Sequence, residues 1–299
     1  MEYGHTPVLS KEAIEFLDPK PGDVIVDATV GGGGHSELVL RAIGPKGRLI
    51  GIDKDEDRLA STGSRLARYK KQLALVKADY KNIRLTLQKL NIDRAQGVLF
   101  DLGVSSPQLD ETGRGFSYRL DAPLDMRMDL QQEVTARTVV NSYSKQDLTR
   151  IIRQYGEERW ASRIAEFILK QRQRKPIETT FDLVEVIKAA IPASARRKGP
   201  HPARRTFQAI RIEVNDELTS LKTGLIEAID ILSSKGRIVA ISYHSLEDRI
   251  VKRTFKEQAL PELGARLMIL TKKPVRPSEE EVLGNPRSES AKLRAAEKL

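Results

Sequence analysis

Several residues near the N-terminus have the types and spacing that bind a nucleotide-like cofactor. Residues 29 to 35 read Thr-Val-Gly-Gly-Gly-Gly-His, and Asp53 follows the glycines by about twenty residues. Glycines let the backbone approach a ligand without a Cβ clash, and the free N–H groups of a following helix favour electron-rich atoms. A carboxylate at Asp53 can accept hydrogen bonds from both hydroxyls of a ribose. We therefore predict that Asp53 is the ribose ligand.

Three classes of cofactor use such a turn. The P-loop pattern Gly-x4-Gly-Lys-Ser/Thr is absent from the sequence, which argues against nucleoside triphosphate hydrolysis. Gly31, Gly33 and Ser36 fit the nicotinamide spacing with its last glycine replaced. Asp27 precedes the glycines, and a carboxylate there could hold the ammonium of S-adenosylmethionine but would repel a pyrophosphate. The pattern favours S-adenosylmethionine over a nicotinamide dinucleotide, and an ordinary strand-to-helix turn stays open as the alternative.

Two further strand ends carry groups that could contact a cofactor or a substrate. Asp79 and Tyr80 follow a short apolar run, and an acid and an aromatic there could hydrogen-bond and stack an adenine. Simple packing is an equal alternative for Tyr80. The next apolar run ends at Asp101 and leads into a loop that contains Ser106-Pro107-Gln108.

That loop partly resembles the Asp/Asn/Ser-Pro-Pro-aromatic loop of methyltransferases that act on amino groups. An exocyclic amine is a poor nucleophile because its lone pair is conjugated with the ring. Acceptors from Ser106 and the Pro107 region could hold the amine protons and aim the lone pair at a methyl group. The second proline and the aromatic of the pattern are missing, so a plain turn remains the alternative.

The order of the elements predicts an α/β fold. Short β-branched runs alternate with amphipathic helices up to Asp101, and acids stand at the strand ends, where ligands lie in open α/β sheets. From about residue 110 to 205 only helical patterns occur. We predict a Rossmann-like methyltransferase domain, residues 1–109 and 206–299, with an inserted helical domain, 110–205. Its second part is predicted to hold a long helix over 206–232, strands over 236–241 and 267–271, and a charged tail from 272.

Basic and aromatic residues in the second half indicate a nucleic-acid partner. A proline- and glycine-interrupted segment carries five cations and no acid, which suits phosphate contacts, although a solvated charge run is the alternative. Tyr243 and His244 follow the fifth strand and could stack a base or handle a proton; a capped turn is equally compatible, with Ser245 and Asp248 as the capping box. The five cations are Arg196, Arg197, Lys198, Arg204 and Arg205.

The composition limits the chemistry. The chain has 299 residues, 51 Lys and Arg against 41 Asp and Glu, and a net charge of +10, which suits a polyanion. It has no cysteine, so disulfides, thiolate metal sites, iron–sulfur clusters and a cysteine nucleophile are excluded. Methylation at cytosine C5 normally needs a cysteine adduct, and radical methylation needs a cluster. No metal is predicted. The absence of a signal sequence and of a long apolar run predicts a soluble cytoplasmic protein without a membrane partner.

Five segments together resemble the MraW/RsmH family, and the similarity covers the chain including the insertion. They are Asp27 to His35, Asp101 to Asp110, Arg205 to Asn215, Tyr243 to Arg249 and Asn285 to Arg287. The resemblance implies an enzyme that methylates N4 of a decoding-centre cytidine in bacterial 16S ribosomal RNA within the small subunit. It makes Asp27 a supporting residue. It assigns S-adenosylmethionine contacts to Gly33, Gly34, His35, Asp53, Tyr80, Asp101 and Gln108.

We therefore expect Asp101, Ser106 and Pro107 to serve catalysis, and the basic segment with Tyr243 and His244 to bind RNA. A non-catalytic RNA-binding assembly factor with the same fold and a nicotinamide dehydrogenase are the alternatives.

Overall fold

The computed structural model describes residues 7–104, 113–197 and 199–299. The chain forms two compact units, one of Met1–Gly103 with Leu218–Leu299 and one of Val104–Glu217. The second unit extends beyond the predicted insertion 110–205 at both ends. Within the described ranges, no helix is both long enough and apolar enough to cross a membrane.

The first unit contains a seven-stranded sheet with the strand order β3-β2-β1-β4-β5-β7-β6. Strands β1 to β5 pair in parallel, and β7 runs antiparallel between β5 and β6. The strands are β1 Val24–Asp27, β2 Arg48–Asp53, β3 Leu73–Lys77, β4 Ala95–Asp101, β5 Leu232–Ser242, β6 Leu267–Ile269 and β7 Lys292–Lys298.

The parallel strands are apolar because helices cover both faces of the sheet. Ile25 and Val26 are neighbours on β1, yet they belong to separate apolar clusters because successive side chains point to opposite faces. The helices of the first unit are α1 Ser10–Leu17, α2 Gly34–Ile43, α3 Glu56–Arg65, α4 Ile83–Lys89, α11 Glu217–Ile231, α12 Ser245–Gln258 and α13 Glu279–Gly284, of which α11 starts at the unit boundary.

The second unit is helical and has an apolar core of its own. Its helices are α5 Ala136–Ser142, α6 Lys145–Gln154, α7 Ala161–Arg174, α8 Thr180–Ala190, α9 Ala193–Arg196 and α10 Arg204–Asn215.

The sheet order creates a topological switch point. The chain moves outward from β1 to β2 and β3 on one side, and from β4 to β5 on the other. Ligands of doubly wound sheets bind where the strand order reverses, outside the carboxyl ends of the strands. In this sheet that position lies at the ends of β1 and β4. The predicted Rossmann-like α/β class is confirmed.

Two predictions about the second half of the chain are wrong. The helix predicted over 206–232 is two helices, because Asp216 adopts a left-handed conformation with φ 50° and ends α10. The predicted charged tail from 272 contains β7, whose Leu293 and Ala296 are fully buried on opposite faces of the sheet. The charged residues of β7 led to the prediction of an exposed tail. Arg294 is instead buried against Asp248, with its Nε 2.7 Å from Oδ1.

Candidate functional site

The glycine turn lies between the end of β1 and the start of α2. Gly31 and Gly33 have φ of 47° and 75°, in the left-handed region that favours glycine. A Cβ on Gly33 would lie 2.8 Å from Cγ2 of Thr62, so a side chain does not fit there. The helix starts at Gly34, and its N-cap residue Gly33 has no side chain that could accept from the N–H groups of the first turn. The turn is therefore built for close backbone approach at a positive helix end.

Asp53 joins the glycine turn to the end of β2. Its Oδ2 accepts a hydrogen bond from the N–H of Gly31 at 2.9 Å, and its Oδ1 accepts from the N–H of Asp55 at 2.9 Å. Burial raises the pKa of Asp53 to about 6, against the effect of both backbone bonds. Each oxygen keeps a further lone pair. The carboxylate is thus fixed in place with capacity for two more donors.

Two hydrogen bonds from nearby residues orient the carboxylate of Asp27. It is buried, its Oδ2 accepts from Oγ of Ser36 at 2.6 Å, and its Oδ1 accepts from the N–H of Thr29 at 3.2 Å. Burial raises the pKa of Asp27, and the bond from Ser36 offsets part of that rise. The contacts give Asp27 a role in shaping the glycine turn, as the family resemblance implies.

Asp101, at the end of β4, lies at the centre of a hydrogen-bonded group. Oη of Tyr243 donates to its Oδ1 at 2.8 Å, and Nδ1 of His35 lies 3.4 Å from its Oδ2. The other ring nitrogen of His35 is 2.9 Å from the carbonyl oxygen of Val8. The N–H of Asp101 donates to Oγ1 of Thr29 at 2.6 Å. Two side chains therefore orient the carboxylate of Asp101, and Thr29 holds the backbone of the same residue.

Burial and charge set the protonation of the two partners of Asp101. Burial raises the pKa of Tyr243 well above its usual value, and the carboxylate of Asp101 adds to the rise. For His35, burial lowers the pKa, but the hydrogen bond and charge of Asp101 outweigh it and the net pKa is raised. Tyr243 is thus the neutral donor of its bond to Asp101, and the pKa of the His35 imidazole lies above its usual value. The sequence predicts an RNA contact for Tyr243 and gives no local sign of this bond, although the parallel pairing of β4 with β5 brings the two strand ends together.

His244 caps α12. Its Nδ1 accepts from the N–H of Glu247 at 3.4 Å, and Oε2 of Glu247 accepts from the N–H groups of Tyr243 and His244 at 2.8 and 3.2 Å. The predicted capping box of Ser245 and Asp248 is therefore wrong, because the cap lies one residue earlier. The imidazole of His244 caps the helix through Nδ1, and its contact with RNA stays a prediction.

Tyr80 and Asp79 stand at the end of β3. The ring of Tyr80 packs edge-on to Phe100 with centroids 5.6 Å apart, and a Cβ on Gly224 would lie 2.7 Å from its Cδ2. Oδ2 of Asp79 contacts Nζ of Lys54 at 2.9 Å. Burial raises the pKa of Asp79, but Lys54 and the hydrogen bonds from Lys81 and Ser220 together outweigh it and the net pKa is lowered. Packing thus fixes Tyr80 close to the switch-point edge.

The basic residues lie in the second unit. Arg196 and Arg197 are exposed at the end of α9, and Arg204 and Arg205 begin α10. Nη1 of Arg205 donates to the carbonyl of Glu157 at 3.2 Å. The candidates Ser106, Pro107, Gln108 and Lys198 lie outside the described residues.

Comparison with known proteins decides the family, since the chain matches the MraW methylase family over residues 2–299. The chain belongs to the MraW methylase family. It is 53% identical to the ribosomal RNA small subunit methyltransferase H of Halothermothrix orenii, over 99% of this chain and 98% of that one. It is 52% identical to the protein of the same name from Symbiobacterium thermophilum, over 100% and 98%. A solved structure of a putative rRNA-methylase from Clostridium thermocellum aligns with a TM-score of 0.49 and 12% identity, over 99% and 98%.

Membership of the MraW family confirms the predicted methyltransferase class and the cofactor S-adenosylmethionine. The residues at the sheet edge fit this cofactor. The pKa of Asp53 is raised because burial leaves its charge incompletely compensated, and two hydroxyl donors would supply what is missing. The uncapped start of α2 lies next to it. Asp53 and the glycine turn would therefore hold the ribose and the polar part of the cofactor.

Proposed function

We propose that this MraW-family protein methylates N4 of a cytidine in 16S ribosomal RNA of the small ribosomal subunit, in the decoding-centre region. The observation that carries the proposal is full-length identity of 53% to a ribosomal RNA small subunit methyltransferase H. The net charge of +10 supports a polyanionic substrate.

The target atom is argued from the chemistry available to the chain. Without cysteine, the chain cannot form the usual thiolate adduct for C5 methylation or bind a radical-generating cluster. The methyl acceptor is therefore a nitrogen or oxygen atom whose lone pair can attack the methyl group. Ribose 2′-oxygen transfer usually needs a lysine-centred base, and β1, β4 and β5 end in Asp27, Asp101 and Ser242. Among the base nitrogens that remain, an exocyclic amine is favoured because Ser106 and the Pro107 region offer acceptors for its protons.

Asp101 and the Ser106-Pro107 segment of the sequence would position and deprotonate that amine. Bound S-adenosylmethionine supplies an electrophilic methyl group on a sulfonium. Ser106 and the Pro107 region are proposed to hold the amine protons. Asp101 is proposed to accept one proton, since Tyr243 and His35 fix its oxygens and lone pairs remain. A fixed acceptor needs little reorganisation as the amine becomes cationic.

Nucleoside mass spectrometry tests this proposal. Small subunits from a strain that lacks the gene are incubated with the protein and isotope-labelled S-adenosylmethionine, and the 16S RNA is digested. We expect label on N4 of a single cytidine. Label on C5 or on a ribose would show that the mechanism is wrong. RNA binding without any transfer would identify an assembly factor instead, and calorimetric binding of a nicotinamide dinucleotide but not of S-adenosylmethionine would identify a dehydrogenase.

A further inference from the structure

A cavity in the second unit has no part in the methyl-transfer site argued above. Its volume is about 500 Å³, within the range of pockets that bind small organic ligands. It is lined by Arg159, Trp160, Pro192, Ser194 and Ala195. We call it the Trp160 pocket.

Trp160 contributes an aromatic ring and an indole N–H group to the pocket. One side of its half-buried ring packs against the apolar core of the second unit. The guanidinium carbon of Arg159 lies 5.2 Å from the ring centroid. Across the described parts of the chain, neither the indole N–H nor the hydroxyl of Ser194 has a hydrogen-bond partner. The pocket thus combines a π surface, a cation and two unused hydrogen-bonding groups.

The loop that carries Trp160 is tied to the basic segment. A Cβ on Gly156 would lie 2.6 Å from the carbonyl oxygen of Arg205, so the two backbones are in close contact. Nη1 of Arg205 donates to the carbonyl of Glu157 at 3.2 Å, and Oε1 of Glu158 accepts from the N–H of Trp160 at 2.9 Å. These contacts fix the backbone of the loop relative to the start of α10.

Two cations follow the lining residues Pro192, Ser194 and Ala195 in the chain. They are the exposed Arg196 and Arg197 at the end of α9. An aromatic ring with arginine beside it is the arrangement on which proteins stack unpaired bases, and neighbouring cations bind the phosphates. The chemistry of the pocket therefore fits a nucleotide of single-stranded RNA.

We propose that the Trp160 pocket binds one unpaired nucleobase of the RNA substrate, stacked on the indole, as a binding subsite that takes no part in methyl transfer. The proposal rests on the proposed RNA substrate. Arg159 would cover the base edge, and Arg196 and Arg197 would contact the flanking phosphates.

Fluorescence gives a direct test because Trp160 is the only tryptophan of the chain. The full-length protein is titrated with a short single-stranded oligoadenylate and with an abasic oligonucleotide of equal length and charge. We expect the oligoadenylate to quench the tryptophan emission at saturation and the abasic chain to leave it nearly unchanged. Equal effects of the two probes, or no quenching by either, would overturn the proposal.

Kinetics with small subunits provide the second test. Trp160→Leu should raise KM for the RNA about tenfold, the effect of losing one base–aromatic stack, with kcat and S-adenosylmethionine affinity unchanged. Trp160→Phe should restore most of the affinity. Phe167→Leu is the matched control, since Phe167 lies on α7, which begins directly after Trp160, also packs on the core and has Arg163 5.4 Å from its ring, but does not line the cavity.

Each outcome has a separate meaning. An unchanged KM in Trp160→Leu, or an equal rise in Phe167→Leu, would contradict the pocket while leaving RNA methylation intact. Failure of the unmodified protein to methylate RNA would contradict the proposed function, and the two oligonucleotides would still decide the pocket. If Trp160→Leu does not fold, Ser194→Leu fills the cavity from its exposed wall and should raise KM in the same way.

Discussion

At the scale of single residues, the candidate site depends on two carboxylates whose orientation is fixed by the protein itself. Asp53 accepts from two backbone N–H groups, and Asp101 is held by a phenol and an imidazole. Preorganised acceptors of this kind contribute because they need not be ordered during binding or reaction. The two carboxylates differ in partners, so we expect different responses to substitution and to pH.

We predict that affinity for S-adenosylmethionine falls as the pH is lowered through about 6, where the carboxyl of Asp53 becomes protonated and loses its charge-assisted bonds. The folding stability of the free protein has the opposite pH dependence. Because folding raises the pKa of Asp53 from 3.8, its contribution to stability is fully present below about pH 4 and is lost as the pH rises through about 6. Calorimetric titrations at several pH values measure the affinity.

Asp53→Asn is the control for this pH dependence. The amide keeps the shape, but its NH₂ group would face a backbone N–H, so binding should weaken by about 2 kcal/mol and lose the pH dependence near 6. An affinity profile identical to that of the unmodified protein would remove Asp53 from the site.

Tyr243→Phe isolates the hydrogen bond to Asp101. The variant keeps the ring but frees one oxygen of the carboxylate, so its orientation is less fixed. We predict that kcat falls about tenfold, equivalent to about 1.4 kcal/mol, while affinity for S-adenosylmethionine changes less than twofold. Single-turnover measurements with saturating RNA check the first value. An unchanged rate would mean that the phenol serves only packing.

At the scale of elements, the edge of the sheet depends on β7. This strand covers β5 on one side and pairs with β6 on the other. Its Arg294 is buried and paired with Asp248 of α12, with Lys292 also 3.4 Å from that carboxylate. A buried cation that loses its partner costs more than an exposed one, because water cannot replace the partner.

Asp248→Ala should therefore lower the free energy of unfolding by about 3 kcal/mol. Adding Arg294→Met should recover most of the loss, since the unpaired charge is then removed. Glu178→Ala is the matched control, because it breaks the exposed Arg137–Glu178 pair, with Nε 2.6 Å from Oε2, where water replaces the lost partner and the loss of stability should be much smaller. Urea unfolding of the variants measures these values, and equal losses in Asp248→Ala and Glu178→Ala would refute the argument.

Elements with local signals were predictable from the sequence. The first four strands are short apolar runs that end in turn residues or acids, and the glycine turn is readable because its spacing is local. Strand β7 was not predictable, because its charged residues are satisfied by partners such as Asp248 that are distant in sequence. The bond between Tyr243 and Asp101 joins residues 142 positions apart, and only the sheet order brings them together. The break at Asp216 depends on a backbone conformation that no residue type there requires.

At the scale of the whole molecule, the net positive charge attracts a large RNA before specific contacts form. The net charge is +10, and five cations without an acid lie between residues 196 and 205. Of these, Arg205 also has a structural contact with Glu157, whereas Arg196 and Arg197 are exposed and form no ion pair with any described residue. Substitution of Arg196 and Arg197 should therefore change RNA binding without changing folding.

Arg196→Glu with Arg197→Glu should weaken RNA binding and reduce the slope of log affinity against log salt by about 1.4, the value for two lost phosphate contacts on single-stranded RNA. Affinity for S-adenosylmethionine should stay unchanged. Lys70→Glu with Lys71→Glu is the matched control: both lysines are exposed in the first unit, and the change in net charge is identical. If both double variants reduce the slope equally, the RNA responds to net charge alone. A reduction confined to the arginine variant would instead identify the end of α9 as a phosphate contact, because long-range attraction depends on total charge whereas counterion release depends on where the phosphates lie.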